Sequence, residues 1–234
     1  MRRLFLLCYM WICVCAYKSL ILKPGGLKGF YMMGICRYIK EHYDLQDWKF
    51  YGSSAGAWNA LYLVCSKDDF FLSQAYELGD FEYTDLYDLE KTIKKRMLNH
   101  FSMYDFDLSR LRICIASKRR WLPMLRKNIV RDFRDLDDVI ECCITSSHLP
   151  FISNGRLFYK YRNIPCMDGG AFLNPHEKHI QPDYVIEPDM WKNKKINTMN
   201  RMYNLNIPGL FNQGYLDARN HKDELNDVFL YKTR

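Results

Sequence analysis

The sequence predicts an α/β domain with a mainly parallel central sheet flanked by helices. Two observations carry that prediction. Strand-like and helix-like runs alternate from Tyr17 onward: Tyr17 to Lys23 (Y-K-S-L-I-L-K), Phe30 to His42, Trp48 to Tyr51 (W-K-F-Y) and Ala57 to Cys65. Such alternation builds parallel strands joined by crossover helices. In addition, both strand-like runs enter a small-residue turn that opens the next helix, Pro24 to Gly29 and then Gly52 to Gly56. Turns of this kind place backbone N–H groups at the C-terminal edge of the strands, where ligands of open sheets bind.

Each element follows from its residues. Tyr17 to Lys23 is short, apolar at its centre and bounded by Pro24-Gly25-Gly26, as a buried strand is. Phe30, Met33, Gly34 and Tyr38 recur at near-helical spacing. Lys67 to Lys95 is aromatic and acidic, with Phe70, Phe71, Ala75, Tyr76 and Leu78 in helical register. Ser102 to Asp107 reads as a loop, and Leu108 to Ser117 alternates and then runs apolar, as a buried strand does. Asp135 to Ser147 opens on acidic residues, with Leu136, Val139, Ile140 and Cys143 at helical spacing. Leu157 to Tyr161 is a further strand and leads through Asn163 to Met167 into Asp168-Gly169-Gly170. There is no internal repeat, low-complexity tract or linker.

The 234 residues fit one domain, and 48% hydrophobic content supplies a sizeable core. Net charge is +7, with basic residues in short groups at 94–96, 118–120 and 192–195. Singly these read as solvated loops; together they suit an anionic surface better than nucleic acid, for which no binding motif accompanies the charge. Nine cysteines without a C-x-x-C pair exclude zinc spacing and a disulfide framework. Met1 to Ala16 stands apart: two arginines precede an uninterrupted apolar run that is shorter than a bilayer span. A secretory signal, a shallow or lipidated anchor, and a segment packed under the sheet compete for it, with signal or anchor ahead. The expected organisation is this segment, a domain over 17–220 and a C-terminal tail over 221–234.

Three motifs carry chemistry. Gly52-Ser53-Ser54-Ala55-Gly56 is a Gly-x-Ser-x-Gly match between a strand and a helix, the context in which a serine is displayed on a tight turn. Gly25, Gly26 and Leu27, in the turn closed by Gly29, offer N–H groups to a developing oxyanion. A dinucleotide is the weaker idea, because Pro24 stands where the first glycine of that fingerprint belongs. Asp168-Gly169-Gly170 forms a tight turn at a strand end. Taken together these residues resemble the patatin-like phospholipase family. Phe30-Tyr31 with Gly34, Ile144 to Phe151 and Gln213 to Ala218 are similar to its adiponutrin-type branch.

The resemblance implies a three-layer α/β/α fold and a Ser–Asp dyad without histidine, with Ser54 as nucleophile and Asp168 as proton acceptor. Gly25, Gly26 and Leu27 then form the oxyanion hole; Gly29, Gly52, Gly56, Gly169 and Gly170 support the motifs. It implies hydrolysis of phospholipid, lysophospholipid or acylglycerol at a membrane or lipid-droplet surface, with no metal, cofactor or nucleic acid. A free carboxylate is a weak base for a hydroxyl, and burial strengthens it. The chemical rival is a histidine triad drawing on His148, His176 or His179. The functional rival is a lipid-surface or interaction protein of weak activity, for which Pro24, lacking an N–H, is the hint. Acyl transfer to an alcohol is a third course. Residues 1–16 would make the protein secretory or membrane-associated; otherwise it is cytoplasmic and peripheral.

Overall fold

The computed structural model describes residues 17–80, 86–118, 125–170, 181–192 and 206–230. Met1 to Ala16, with the apolar run and three of the cysteines, lies outside them, as do His176 and His179. Four strands run parallel: β1 (Lys18–Leu22), β2 (Trp48–Gly52), β3 (Leu111–Lys118) and β7 (Tyr184–Ile186). With β4 (Leu125–Val130), β5 (Tyr159–Tyr161) and β6 (Ile164–Asp168) they form a seven-stranded sheet ordered β5-β6-β3-β2-β1-β7, with β4 paired to β3. The helices are α1 (Gly29–His42), α2 (Ala55–Leu63), α3 (Asp68–Tyr76), α4 (Leu86–His100), α5 (Leu136–Ser147), α6 (Ile207–Asn220) and α7 (Lys222–Phe229). They flank the sheet, giving the α/β/α arrangement expected. Among the described residues no helix is long and apolar enough to cross a membrane.

The core forms where the apolar patterns require it. Leu20, Ile21 and Leu22 are all buried, so β1 is covered on both faces, as a central parallel strand is. α1 turns Tyr31, Met32, Ile35, Cys36 and Ile39 inward, and α5 turns Val139, Ile140, Cys142 and Cys143 inward. The six cysteines among the described residues are free and buried, acting as small apolar side chains. α1 and α6 cross with their backbones nearly touching at Gly34 and Gly214, and Tyr31 Oη donates to Asp217 Oδ2 at 2.9 Å across the crossing.

Several elements differ from the sequence reading. The strand read over Leu157 to Tyr161 is β5, and the stretch after it, read only as a lead into the Asp168 turn, is a second strand that closes a hairpin. Arg162 and Asn163, at φ 48° and 62°, turn β5 back into β6. β6 is therefore antiparallel to β3. β4 and β7, both unforeseen, are a half-exposed strand carrying Arg126 and Lys127 and a three-residue edge strand. Lys222–Phe229, read as tail, is helical because Leu225 and Phe229 are buried; the Phe229 ring lies 4.7 Å from that of Trp48 and 5.0 Å from that of Tyr43.

An unforeseen ion cluster fixes the hairpin to α5. The buried Asp138 carboxylate accepts from the Arg134 backbone N–H and Arg162 Nε, each at 3.0 Å, and from Arg134 Nη2 at 3.1 Å; Arg162 Nη2 also donates to it. Burial pushes this carboxyl up, but the two guanidiniums and the N–H outweigh it and hold it well below the usual carboxylate range. A depressed folded value contributes stability that is fully present above the unfolded value and is lost as pH falls toward the folded one. Asp138→Asn is expected to cost about 2 kcal/mol at neutral pH, below the full buried-pair range because both arginines reach solvent. In urea unfolding the gap from wild type narrows below about pH 4.

Candidate active site

The three motifs converge along β3. Gly52, the last residue of β2, pairs with Ile113, and Asp168, the last of β6, pairs with Ile115. The Cys114 carbonyl between them accepts from Ser146 Oγ at 2.6 Å, and a Cβ on Gly169 would lie 2.6 Å from the same oxygen. One peptide group thus anchors the end of α5 and the Asp-Gly-Gly turn together. Asp168 reaches this edge although its strand runs the opposite way, because β3 continues past the end of β2.

Ser54 caps α2 in a strained backbone conformation, φ 54° and ψ −128°. For a residue with a Cβ this costs on the order of 1–3 kcal/mol and persists only where neighbours impose it. The neighbours are explicit. Ser54 N–H donates to Ser146 Oγ at 2.9 Å, and Ser53 N–H donates to the Leu22 carbonyl at 3.3 Å. A Cβ on Gly56 would lie 2.1 Å from Leu22 O, and one on Gly52 would lie 2.3 Å from Gly56 O. Only glycine lets strand, turn and helix close this tightly.

The Pro24–Gly29 turn docks on the same elbow. Gly26 to Lys28 form a 3-10 turn that passes into α1, with Gly26 at φ 52°. Among the described residues no backbone acceptor is taken by the N–H groups of Gly25, Gly26 or Leu27. Asn59 Nδ2 donates to Gly29 O at 3.1 Å and to Ala55 O at 2.9 Å, tying the turn to α2. A Cβ on Gly170 would lie 2.7 Å from Pro24 Cγ and 2.7 Å from Ser53 Oγ, so the Asp-Gly-Gly turn rests against both other motifs. Pro24, which has no N–H to give, is a packing surface here.

Asp168 is 1% exposed. Its N–H donates to the His148 carbonyl at 2.9 Å, and its Oδ1 accepts from Gly170 N–H at 2.7 Å. Burial pushes the Cys114 thiol up to about 11, and the nearby Asp168 charge adds to it. His148, the described candidate for a triad, is fully buried with its ring 5.9 Å from that of Tyr159 and Nε2 3.1 Å from the Arg156 carbonyl. Burial lowers its pKa, so the ring is neutral and Nε2–H donates to that carbonyl. Its side chain braces a loop.

Ser54, Gly26 and Leu27 line a cavity of about 330 Å³. Phe30, Met33, Trp58, Leu89, Ile93 and Met97 are among its apolar lining, and Leu149 and Ile152 lie on it as well. Gly25 is not on this wall; it faces Met32 and Pro188. The residue that sequence reasoning missed is Ser146. Its signal was present, a hydroxyl at the end of an apolar helix within Ile144 to Phe151, but only the packing shows that it fixes the elbow.

Residues 20–119 match the family model for patatin-like phospholipases. Over this stretch the chain is similar to patatin-like phospholipases. The family is one of lipid acyl hydrolases, and the matched stretch contains the Gly25–Gly29 turn and the Gly52–Gly56 elbow, with Asp168 beyond it. No curated protein matches the chain.

Proposed function

We propose that this patatin-like protein is a serine lipid acyl hydrolase acting on phospholipid, lysophospholipid or acylglycerol at a membrane or lipid-droplet surface. The observation that carries the reading is Ser54: a strained serine at the head of a helix, opening on a largely apolar cavity that it shares with Gly26 and Leu27. Such a cavity accepts a fatty-acyl chain and leaves the ester carbonyl at the serine. Ser54 Oγ attacks the carbonyl carbon as Asp168 takes the hydroxyl proton. The N–H groups of Gly26 and Leu27 and the α2 N-terminus stabilise the oxyanion, with Gly25 as a further donor. Collapse expels the alcohol, which receives the proton from Asp168. Water activated by the same carboxylate then attacks the acyl-enzyme and releases the fatty acid.

The adjacent serine provides an internal control. Ser53 Oγ is buried and makes no hydrogen bond among the described residues. Ser53→Ala is expected to keep turnover of a fluorogenic fatty-acyl ester within about tenfold, whereas Ser54→Ala also abolishes labelling by a fluorophosphonate probe. Labelling that survives Ser54→Ala and disappears in Ser53→Ala would reassign the nucleophile. Wild-type protein that takes up no probe and turns over no ester would favour the weakly active lipid-surface protein.

A further inference from the structure

The loop after α5 contains a surface feature that the chemistry leaves unused. Phe151 and Ile152 are 66% and 68% exposed, and Leu157 is 43% exposed. This is not a floppy tip. Phe151 N–H donates to the Arg156 carbonyl at 2.9 Å, and the Ile152 and Ser153 N–H groups donate to the Leu149 carbonyl at 3.2 and 3.1 Å. Leu149 N–H donates to Ser153 Oγ at 3.0 Å, and the buried His148 ring holds the Arg156 carbonyl. Phe151 is locked at φ 65°, a conformation that a bulky residue rarely adopts. The chain therefore spends structure on holding large apolar side chains out in solvent.

Two further observations identify what covers them. Ile152 and Leu149 also line the cavity that holds Ser54, so the exposed tip is continuous with the mouth of the site. The surroundings are cationic: Arg156 is exposed, and Lys118 Nζ lies 5.7 Å from the Phe158 ring, next to Leu157. No Asp or Glu occurs between Glu141 and Asp168. An apolar tip with a basic rim matches the acyl boundary and phosphate layer of an anionic phospholipid surface.

We propose that residues 149–157 are an interfacial anchor that inserts Phe151, Ile152 and Leu157 into an anionic phospholipid surface. The anchor seats the cavity mouth on the source of its acyl chains. This deepens the lipid-hydrolase reading and rests on it for its purpose, but its test does not need turnover. The full chain is sedimented with phosphatidylcholine vesicles with and without phosphatidylserine, and every variant keeps Met1 to Ala16, so differences report the loop. Phe151→Asn with Leu157→Ser is expected to weaken binding by at least about tenfold. Asparagine tolerates the left-handed backbone at position 151. Arg156→Glu is expected to reduce the preference for phosphatidylserine.

Neither Phe151 nor Leu157 lines the cavity, so the double variant should hydrolyse a short soluble ester as wild type does. Should that variant fail to fold, Phe151→Trp reports directly, with its added emission shifting blue on anionic vesicles. Unchanged affinity of the double variant, or an unmoved Phe151→Trp emission, overturns the anchor. Self-association without lipid that is lost in the double variant overturns it in favour of a second copy. A protein that binds vesicles through this loop but cleaves no ester refutes the hydrolase reading and leaves the anchor standing.

Discussion

Ser54→Ala is expected to lower hydrolysis of a fatty-acyl ester by at least about 10³-fold, and Asp168→Asn by a similar factor. In the proposed mechanism the two changes remove the same step from opposite ends. Without the Ser54 hydroxyl no acyl-enzyme forms; without the Asp168 carboxylate the hydroxyl keeps its proton and the leaving alcohol receives none. Residues that act as a unit are strongly non-additive, so the double variant should be about as slow as either single one. Independent contributions would multiply, and a double variant slower by the product would sink the paired mechanism. Asp168→Asn also leaves the geometric constraint around Gly170 in place, because an amide oxygen still accepts its N–H at the present 2.7 Å position. Unchanged thermal stability in this variant would assign the loss to chemistry. His148→Ala with His176→Ala and His179→Ala should retain activity, whereas loss in a properly folded triple variant would restore the histidine triad.

Legibility in the sequence followed the range of the forces involved. The β1-α1-β2-α2 path was readable because each strand ends in a turn whose glycines meet a local demand, and each helix carries its own apolar stripe. β4 was not, because Arg126 and Lys127 interrupt its pattern and its strand character comes from pairing with β3. The β5–β6 reversal was hidden for a different reason: Arg162 and Asn163 hold positive φ without glycine, and the Arg162 guanidinium is fixed by Asp138, 24 residues away. At the site, Ser54, the Gly25-Gly26-Leu27 turn and Asp168 were each found as motifs. Of their supports, the Cys114 carbonyl carries no local signature and the Ser146 hydroxyl does not reveal its role; both matter only once β3 brings Gly52 and Asp168 to neighbouring positions.

The α1–α6 crossing is where a single methyl should do the most structural damage. A Cβ on Gly34 would lie 2.0 Å from the Phe211 carbonyl oxygen, and one on Gly214 would lie 1.9 Å from that of Tyr31. Both obstacles are backbone, so no rotamer change relieves them, and the helices must separate. Separation would also stretch the Tyr31–Asp217 hydrogen bond and loosen Phe211 and Ala218 from the core. Gly34→Ala is expected to cost about 3 kcal/mol despite alanine's better helix propensity, which returns only about 1 kcal/mol. For a chain of this size that lowers the thermal midpoint by roughly 6–12 °C. Because the clash is reciprocal, Gly34→Ala with Gly214→Ala should cost less than the sum of the singles: helices already displaced by one methyl have room for part of the second. Additive losses would show that each glycine is needed separately. No loss in either single variant would show that the helices sit farther apart than a shared glycine contact requires.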